Sequence, residues 1–439
     1  MAANNKGLRY FGIAIFAAFV ISGAAIVIYL IANAISGDKA SGNPTAPAPA
    51  GPDTAFMKAV MPSVDTAVRL IRVSDIDAII GTDENAGRNI RRVFNGRRIN
   101  IAIIGVDSRL GQRYKHADAN HVLSILIDSA KIEITAIPRD TPADAGLPDT
   151  SDQNKLTIVR AAKGREAYLA EVARIAELDR IHYYVEVGFS QAMGILEWLG
   201  FRESGSALQV LRSRRGLGGD DFQRSYNQAQ FIRQAILGHF DKFTGIMGEV
   251  FIRGGLALVD TDLSVDRVRS IVYNLGQRGF PRSPEDIYIR VRPPMPIKFK
   301  VYDFSNPEVV ASLSNKIEGF NKKDTSHNFS SGRENPAAGI LYRRIAEAER
   351  DTARPLQVIN RLSTLFDQKA WLQVQDHDKR RDIRNKLSNL LINAYIRKGW
   401  ANRADEIRTK IELENQLFDH AVNPVPDSIK NHDKTISRQ

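Results

Sequence analysis

The chain of 439 residues has no cysteine. That excludes disulfides, thiolate metal centres and thiol nucleophiles together. No histidine pair has metal-ligand spacing, no GxSxG elbow is present, and no Ser/His/Asp order suggests a nucleophilic triad. Gly216-Leu217-Gly218-Gly219 lacks the following Lys-Ser/Thr of a phosphate loop and reads as a flexible break. An acidic excess is also lacking: 61 Lys and Arg stand against 50 Asp and Glu, a formal net charge of +11. Such a balance favours anionic partners, whether phospholipid, phosphorylated polymer or nucleic acid.

Residues 10–35 are uncharged and apolar over more than the roughly 20 residues a helix needs to cross a bilayer, so a transmembrane helix is expected there. Lys6 and Arg9 precede it, which puts residues 1–9 in the cytoplasm and the bulk of the chain outside. The expected location is a bacterial inner (cytoplasmic) membrane, single-pass, with the body periplasmic or extracellular. That compartment argues against nucleic acid as a partner.

Residues 36–53 form a Pro/Ala/Gly linker, and 54–96 a helical accessory segment: Phe56, Val60, Val64, Val68 and Ile71 recur at helical spacing, and a second short helix is expected between Asp75 and Asn95. In 97–320, short apolar runs (Ile99 to Val106, Val122 to Ile127, Ile132 to Ile137) read as strands, with Asp128 to Lys131 as a hairpin turn. Arg160 to Leu178 reads as a helix, Ile181 to Val187 as a strand and Ser190 to Phe201 as a helix, an alternation that implies an α/β sandwich. Residues 321–336 are a polar linker and 421–439 a flexible tail. Residues 337–420 are a helical domain without strands, in which Leu391, Ala394, Tyr395, Gly399 and Ala404 fall as in one tetratricopeptide-like helix pair. An appendage is expected, whose removal leaves the core folded.

Ionisable residues gather where the strands begin or end. The stretches GVDSR (Gly105 to Arg109), an Asp eleven residues on, AIPRDT (Ala136 to Thr141), Ile181 to Gly200, the RSR of Arg212 to Arg214, DFQR (Asp221 to Arg224) and DTDLS (Asp260 to Ser264) fall in the order of the LytR-CpsA-Psr (LCP) family, which this chain resembles over roughly residues 97–302. The resemblance implies an LCP-like sandwich, a central mixed sheet with helices on both faces, here with an N-terminal transmembrane helix and a C-terminal all-α addition. It also implies a membrane-anchored phosphotransferase that moves a glycopolymer from a polyprenyl pyrophosphate carrier to peptidoglycan, with Mg2+.

Carried over by position, Arg139, Arg212, Arg214 and Arg224 match the pyrophosphate-binding arginines, with Arg109 inside the motifs as a further substrate contact. Asp107 and Asp118 match the two acids, for metal coordination and acceptor activation, and Gln228 matches the polar residue four after the last arginine. Where the family has Arg-x-Asp-Thr, this chain has His116-Ala117-Asp118-Ala119, and a second register puts Asn120 in the acid's place. His121 is expected to pack or cap a strand. A scaffold of the same fold, binding envelope components or a periplasmic machine such as a flagellar motor, is the alternative function, with a protein partner on residues 337–420.

Overall fold

The computed structural model describes residues 79–422 apart from 91–93, 108–109, 112–114, 200, 202–203, 214–216, 218–219, 245–247 and 325–335. The expected membrane span, residues 1–9 and 36–53, the beginning of 54–96 and the tail from 423 lie outside the described residues, as do Arg109 and Arg214. Among the described residues no helix is long and apolar enough to cross a membrane.

Three runs rich in β-branched residues build the centre of the sheet: β2 (Arg98–Asp107), β3 (His116–Leu126) and β4 (Lys131–Ile137), each antiparallel to the next. One strand of a separate two-stranded sheet, β1 (Ile79–Asp83), precedes them. The chain then passes through helices α1 (Leu156–Ala162) and α2 (Gly164–Ile175), and β5 (Tyr183–Gly188) returns parallel to β2. One continuous helix was expected over Arg160 to Leu178; the chain breaks at Gly164, whose φ of +86° a helix interior does not accept. Short β6 (Asp260–Thr261) and β7 (Ile287–Val291) complete a six-stranded mixed sheet in the order β6-β5-β2-β3-β4-β7.

Alternation along the strands decides what each face touches. Ala102, Ile104, Val106 and Val122 face α1 and α2, where they bury Leu156, Val159, Tyr168 and Val172. Ile101, Ile125 and Ile134 face the other way, against Tyr226, Ala229, Leu237 and Phe240 of the long helix α5 (Asp221–Thr244). Helices α3 (Phe189–Trp198), α4 (Ser204–Arg212), α6 (Gly248–Leu258), α7 (Val265–Gln277) and α8 (Pro307–Asp324) complete the sandwich. Ser264 is the N-cap of α7, accepting from Arg267 N at 3.2 Å, while Asp262 accepts from Tyr184 N across the sheet edge.

Two boundaries differ from expectation. Among the described residues between Asp75 and Asn95 no helix is formed: Ile79–Asp83 is β1, paired with β8 (Phe299–Tyr302). A partner more than 200 residues away supplies the ladder that local periodicity could not anticipate. Helix α8 also runs to Asp324, past the boundary expected at 320.

The C-terminal helices α9 (Pro336–Arg350), α10 (Pro355–Asp367), α11 (His377–Arg397) and α12 (Ala401–Val422) contain the expected antiparallel pair, α11 and α12, turned at Gly399 with φ +76°. They are not a separable appendage. Their core, around Trp371, Leu341 and Leu387, also holds Leu258 and packs on Ile195, Trp198 and Leu110 of the sandwich. Leu372 presses on Gly194 so closely that a Cβ there would lie 2.8 Å from it, Gln373 donates to Ser190 Oγ at 2.8 Å, and Arg380 pairs with Glu197 at 2.9 Å. Removing these helices would uncover apolar surface of α3 around Gly194 and Ile195.

Candidate functional site

The strand ends create the site. The β3–β4 ladder sets Asn120 opposite Ile137, and the same register carried two residues on sets Asp118 opposite Arg139. Arg139 Nη1 donates to Asp118 Oδ1 at 2.8 Å. Asp118 reaches that face because of a bulge: the β2–β3 register runs from Gly105↔Ala119 directly to Val106↔Ala117, so Asp118 is the extra residue. Without it, Asp118 would share the face of Asn120, which is buried on the opposite side and accepts from Tyr168 Oη at 2.6 Å. The fold therefore turns Asp118 and not Asn120 to the cavity, and Asn120 is part of the packing. Gly105 permits the close approach at the bulge, since a Cβ there would lie 2.8 Å from that of Ala119.

Asp107, Asp118, Arg139, Arg212, Arg224 and Gln228 all line one cavity of about 460 Å³. Its inner wall is apolar, with Val187 from β5, Ile195 and Leu196 from α3, Leu208 and Leu211 from α4 and Phe231 from α5. A volume within the roughly 300–1,000 Å³ of small-molecule sites, apolar inside and charged at one side, suits an amphiphile. Arg212, at the end of α4, lies 3.7 Å from Asp107 Oδ1 and 5.2 Å from the centre of the Phe189 ring. Arg224, on the first turn of α5, is buried between Asp221, at 3.0 Å, and the backbone carbonyl of Asp118, at 3.5 Å.

Gln228 has a positioning geometry. Its Nε2 donates to Leu211 O at 3.0 Å, which leaves Oε1 to accept from His121 Nε2 at 3.2 Å. Strand β3 is thereby tied to α4 through α5, and the neutral His121 ring carries its proton on Nε2. Burial, with the Arg224 charge beside it, depresses the His121 pKa to about 4 in spite of that hydrogen bond. His121 packs, as expected, but it packs against the cavity.

No group of three or more His, Asp or Glu residues arranged to hold a metal occurs among the described residues. Two carboxylates on one cavity wall are nevertheless the hard-oxygen donor set with which Mg2+ is held when substrate phosphates supply the rest.

Residues 74–200 match the model of the LytR_cpsA_psr family. Over that segment the chain is similar to the LytR-CpsA-Psr family. Similar solved structures include Bacillus subtilis TagV (17% identity, 51% of this chain and 99% of that one, TM-score 0.36) and TagT bound to LIIa-WTA (13% identity, 54% and 96%, TM-score 0.34). No curated protein matches the chain. The LCP segment holds Asp107, Asp118 and Arg139, and ends before Arg212, Arg224 and Gln228. The fold carries the site across that limit, because α4 and α5 close the cavity that the LCP strands open.

What sequence reasoning missed is the wall itself. The alternating apolar residues of α3 signal a buried helix, but which neighbour buries each side depends on the C-terminal helices, and only Gly194 hints at a close approach.

Proposed function

We propose that the chain is an envelope phosphotransferase of the LCP type, anchored by residues 10–35, that moves a glycopolymer from a polyprenyl pyrophosphate to a peptidoglycan hydroxyl. One observation carries the reading: an apolar cavity whose charged side gathers Arg139, Arg212 and Arg224 with Asp107 and Asp118. An apolar interior suits the beginning of a lipid chain, and guanidiniums beside it suit a diphosphate through bidentate, charge-assisted bonds. Location in a bacterial cytoplasmic membrane follows from the charge flanking the apolar run.

In this mechanism the acceptor oxygen forms a bond to the phosphorus that carries the glycopolymer. The bond from that phosphorus to the bridging oxygen breaks, its electron pair stays on that oxygen, and the lipid leaves as a monophosphate. The acceptor proton passes to the Asp107 carboxylate, which Arg212 orients at 3.7 Å. Arg139 and Arg224 stabilise the charge that grows on the bridging oxygen and the leaving phosphate. Asp118 holds Arg139 in place through the 2.8 Å bond. Asp107 and Asp118 would hold Mg2+ against the diphosphate, where it would supply further neutralisation of phosphate charge.

The test is transfer from, or hydrolysis of, a polyprenyl pyrophosphate with Mg2+. Arg139→Ala and Asp107→Ala should each lower the rate by about 10²–10³, the size of effect seen when one donor to developing charge is removed. Wild-type protein without turnover, or variants equal to an active wild type, would favour the scaffold.

A further inference from the structure

A second cavity of about 940 Å³ lies between the sandwich and the C-terminal helices. Val106 and Gly188 line both cavities, so the two flank the carboxyl ends of the parallel pair β2 and β5, the place where open α/β sheets bind ligands. Their linings contrast. The first is apolar with cations at one side; the second carries both signs, with Lys115 and Asp260 from the sandwich and Asp367, Arg403, Glu406 and Lys410 from the C-terminal helices.

Most of these charges already have partners. Lys115 Nζ lies 2.7 Å from Glu186, Arg165 lies 2.7 Å from Asp260, and Glu406 takes both Arg403 at 3.0 Å and Lys410 at 2.8 Å. Asp367 differs. Its side chain has no hydrogen bond and no ion pair within 4 Å among the described residues, and it opens on the cleft. It is solvent-accessible, with protein crowded closely enough around it to raise its carboxyl pKa against the pull of Lys410 and Lys115. An accessible carboxylate left unpaired on a cleft is a place an incoming ammonium can bind without first breaking an ion pair. Arg403 is 68% exposed and Lys410 43%, and exchanging their shared Glu406 for a ligand carboxylate costs little.

Resting on the transferase reading, we propose that this cleft is the acceptor subsite and that it recognises a peptide-bearing glycan through the free ammonium and carboxylate of its peptide. Asp367 takes the ammonium; Arg403 and Lys410 take the carboxylate. The glycan then runs along Val106 to Asp107, where its hydroxyl meets the diphosphate. A lipid chain is turned away from this cleft by the cost of covering its charges, which keeps donor and acceptor on opposite sides of one strand end.

Calorimetric binding to the full chain in detergent tests this directly, with a soluble disaccharide-peptide and the same disaccharide lacking its peptide as probes. The peptide-bearing probe should bind at least tenfold more tightly. Asp367→Asn should remove at least tenfold of that affinity, and Asp367→Glu, which keeps the charge, should restore most of it; Arg139→Ala should bind both probes as wild type does. Equal binding of the two probes, or an Asp367→Asn protein that binds normally, overturns the proposal. Peptide-dependent binding in a protein that neither binds nor turns over the lipid diphosphate would support the cleft and overturn the transferase reading instead. Thermal melting of each variant separates lost affinity from lost fold.

Discussion

Two clusters of acids and arginines sit within one strand end of each other, and burial makes them different devices. At the first cavity, Asp118–Arg139 and Asp107–Arg212 are part-exposed, each carboxylate has one guanidinium, and the second pair is loose at 3.7 Å. On the other face of the sheet Glu186 is 1% exposed and meets three cations: Lys115 at 2.7 Å, Arg160 at 2.9 Å and Arg165 at 3.4 Å. Burial pushes the Glu186 pKa up, yet Lys115 and Arg160 outweigh it and hold the carboxyl below its usual range. Saturated and dry, that cluster is structural. Part-solvated and under-saturated, the other has room for a ligand's charge.

The largest effect should come from breaking the buried cluster. Glu186→Ala leaves three cations around a vacated acid, and losing one partner of a buried ion pair costs about 3–5 kcal/mol. Calorimetry should show a fall in melting temperature of about 3–6 °C. A variant that melts with wild type would mean that water reaches the cluster and that burial does not distinguish the two.

Much of this contrast was legible in the sequence. The β-branched runs give β2 to β4, and the separation of 21 positions from Asp118 to Arg139 places them opposite each other once the turn at Asp128 to Lys131 is recognised. That spacing favours Asp118 over Asn120, but the bulge that turns Asp118 to the cavity is a property of two strands in register, and His116-Ala117-Asp118-Ala119 contains no glycine to mark it. Glu186 read as one polar residue in an alternating strand; its three cations come from the β2–β3 loop, α1 and α2. The second cavity was invisible for the same reason, since Asp367 and Lys115 are 252 positions apart and line one cavity only through the docking of the C-terminal helices.

A pH titration sharpens the comparison with a smaller effect. Unfolded His121 titrates near 6.5 and the folded ring at about 4, so between those values the unfolded chain binds more protons. The stability contributed by the neutral ring is whole above about pH 6.5 and is lost as pH falls towards 4, up to about 3 kcal/mol. His239, also depressed to about 4 by burial, titrates with the same sign, so the useful quantity is wild type minus His121→Gln, measured by denaturant melts at pH 7 and pH 5. The difference should shrink in the variant, because the ring beside the first cavity no longer resists protonation. An unchanged difference would place His121 in contact with water, and the inner wall of that cavity would not be dry.

The smallest expected effect on stability is the most telling for function. Arg212 is 44% exposed and its 3.7 Å approach to Asp107 is too long for a strong hydrogen bond, so Arg212→Ala should change stability by less than about 1 kcal/mol. Arg160→Ala, which strips two bonds of 2.9 and 3.1 Å from buried Glu186, should cost several times more in the same melt. Binding of inorganic pyrophosphate should reverse the order, weakening in Arg212→Ala and holding in Arg160→Ala, because only the first guanidinium stands at the cavity. If Arg212→Ala instead melts as early as Arg160→Ala, the rim arginine is fastening the end of α4 to β2, and its charge is spent on the fold before any ligand arrives.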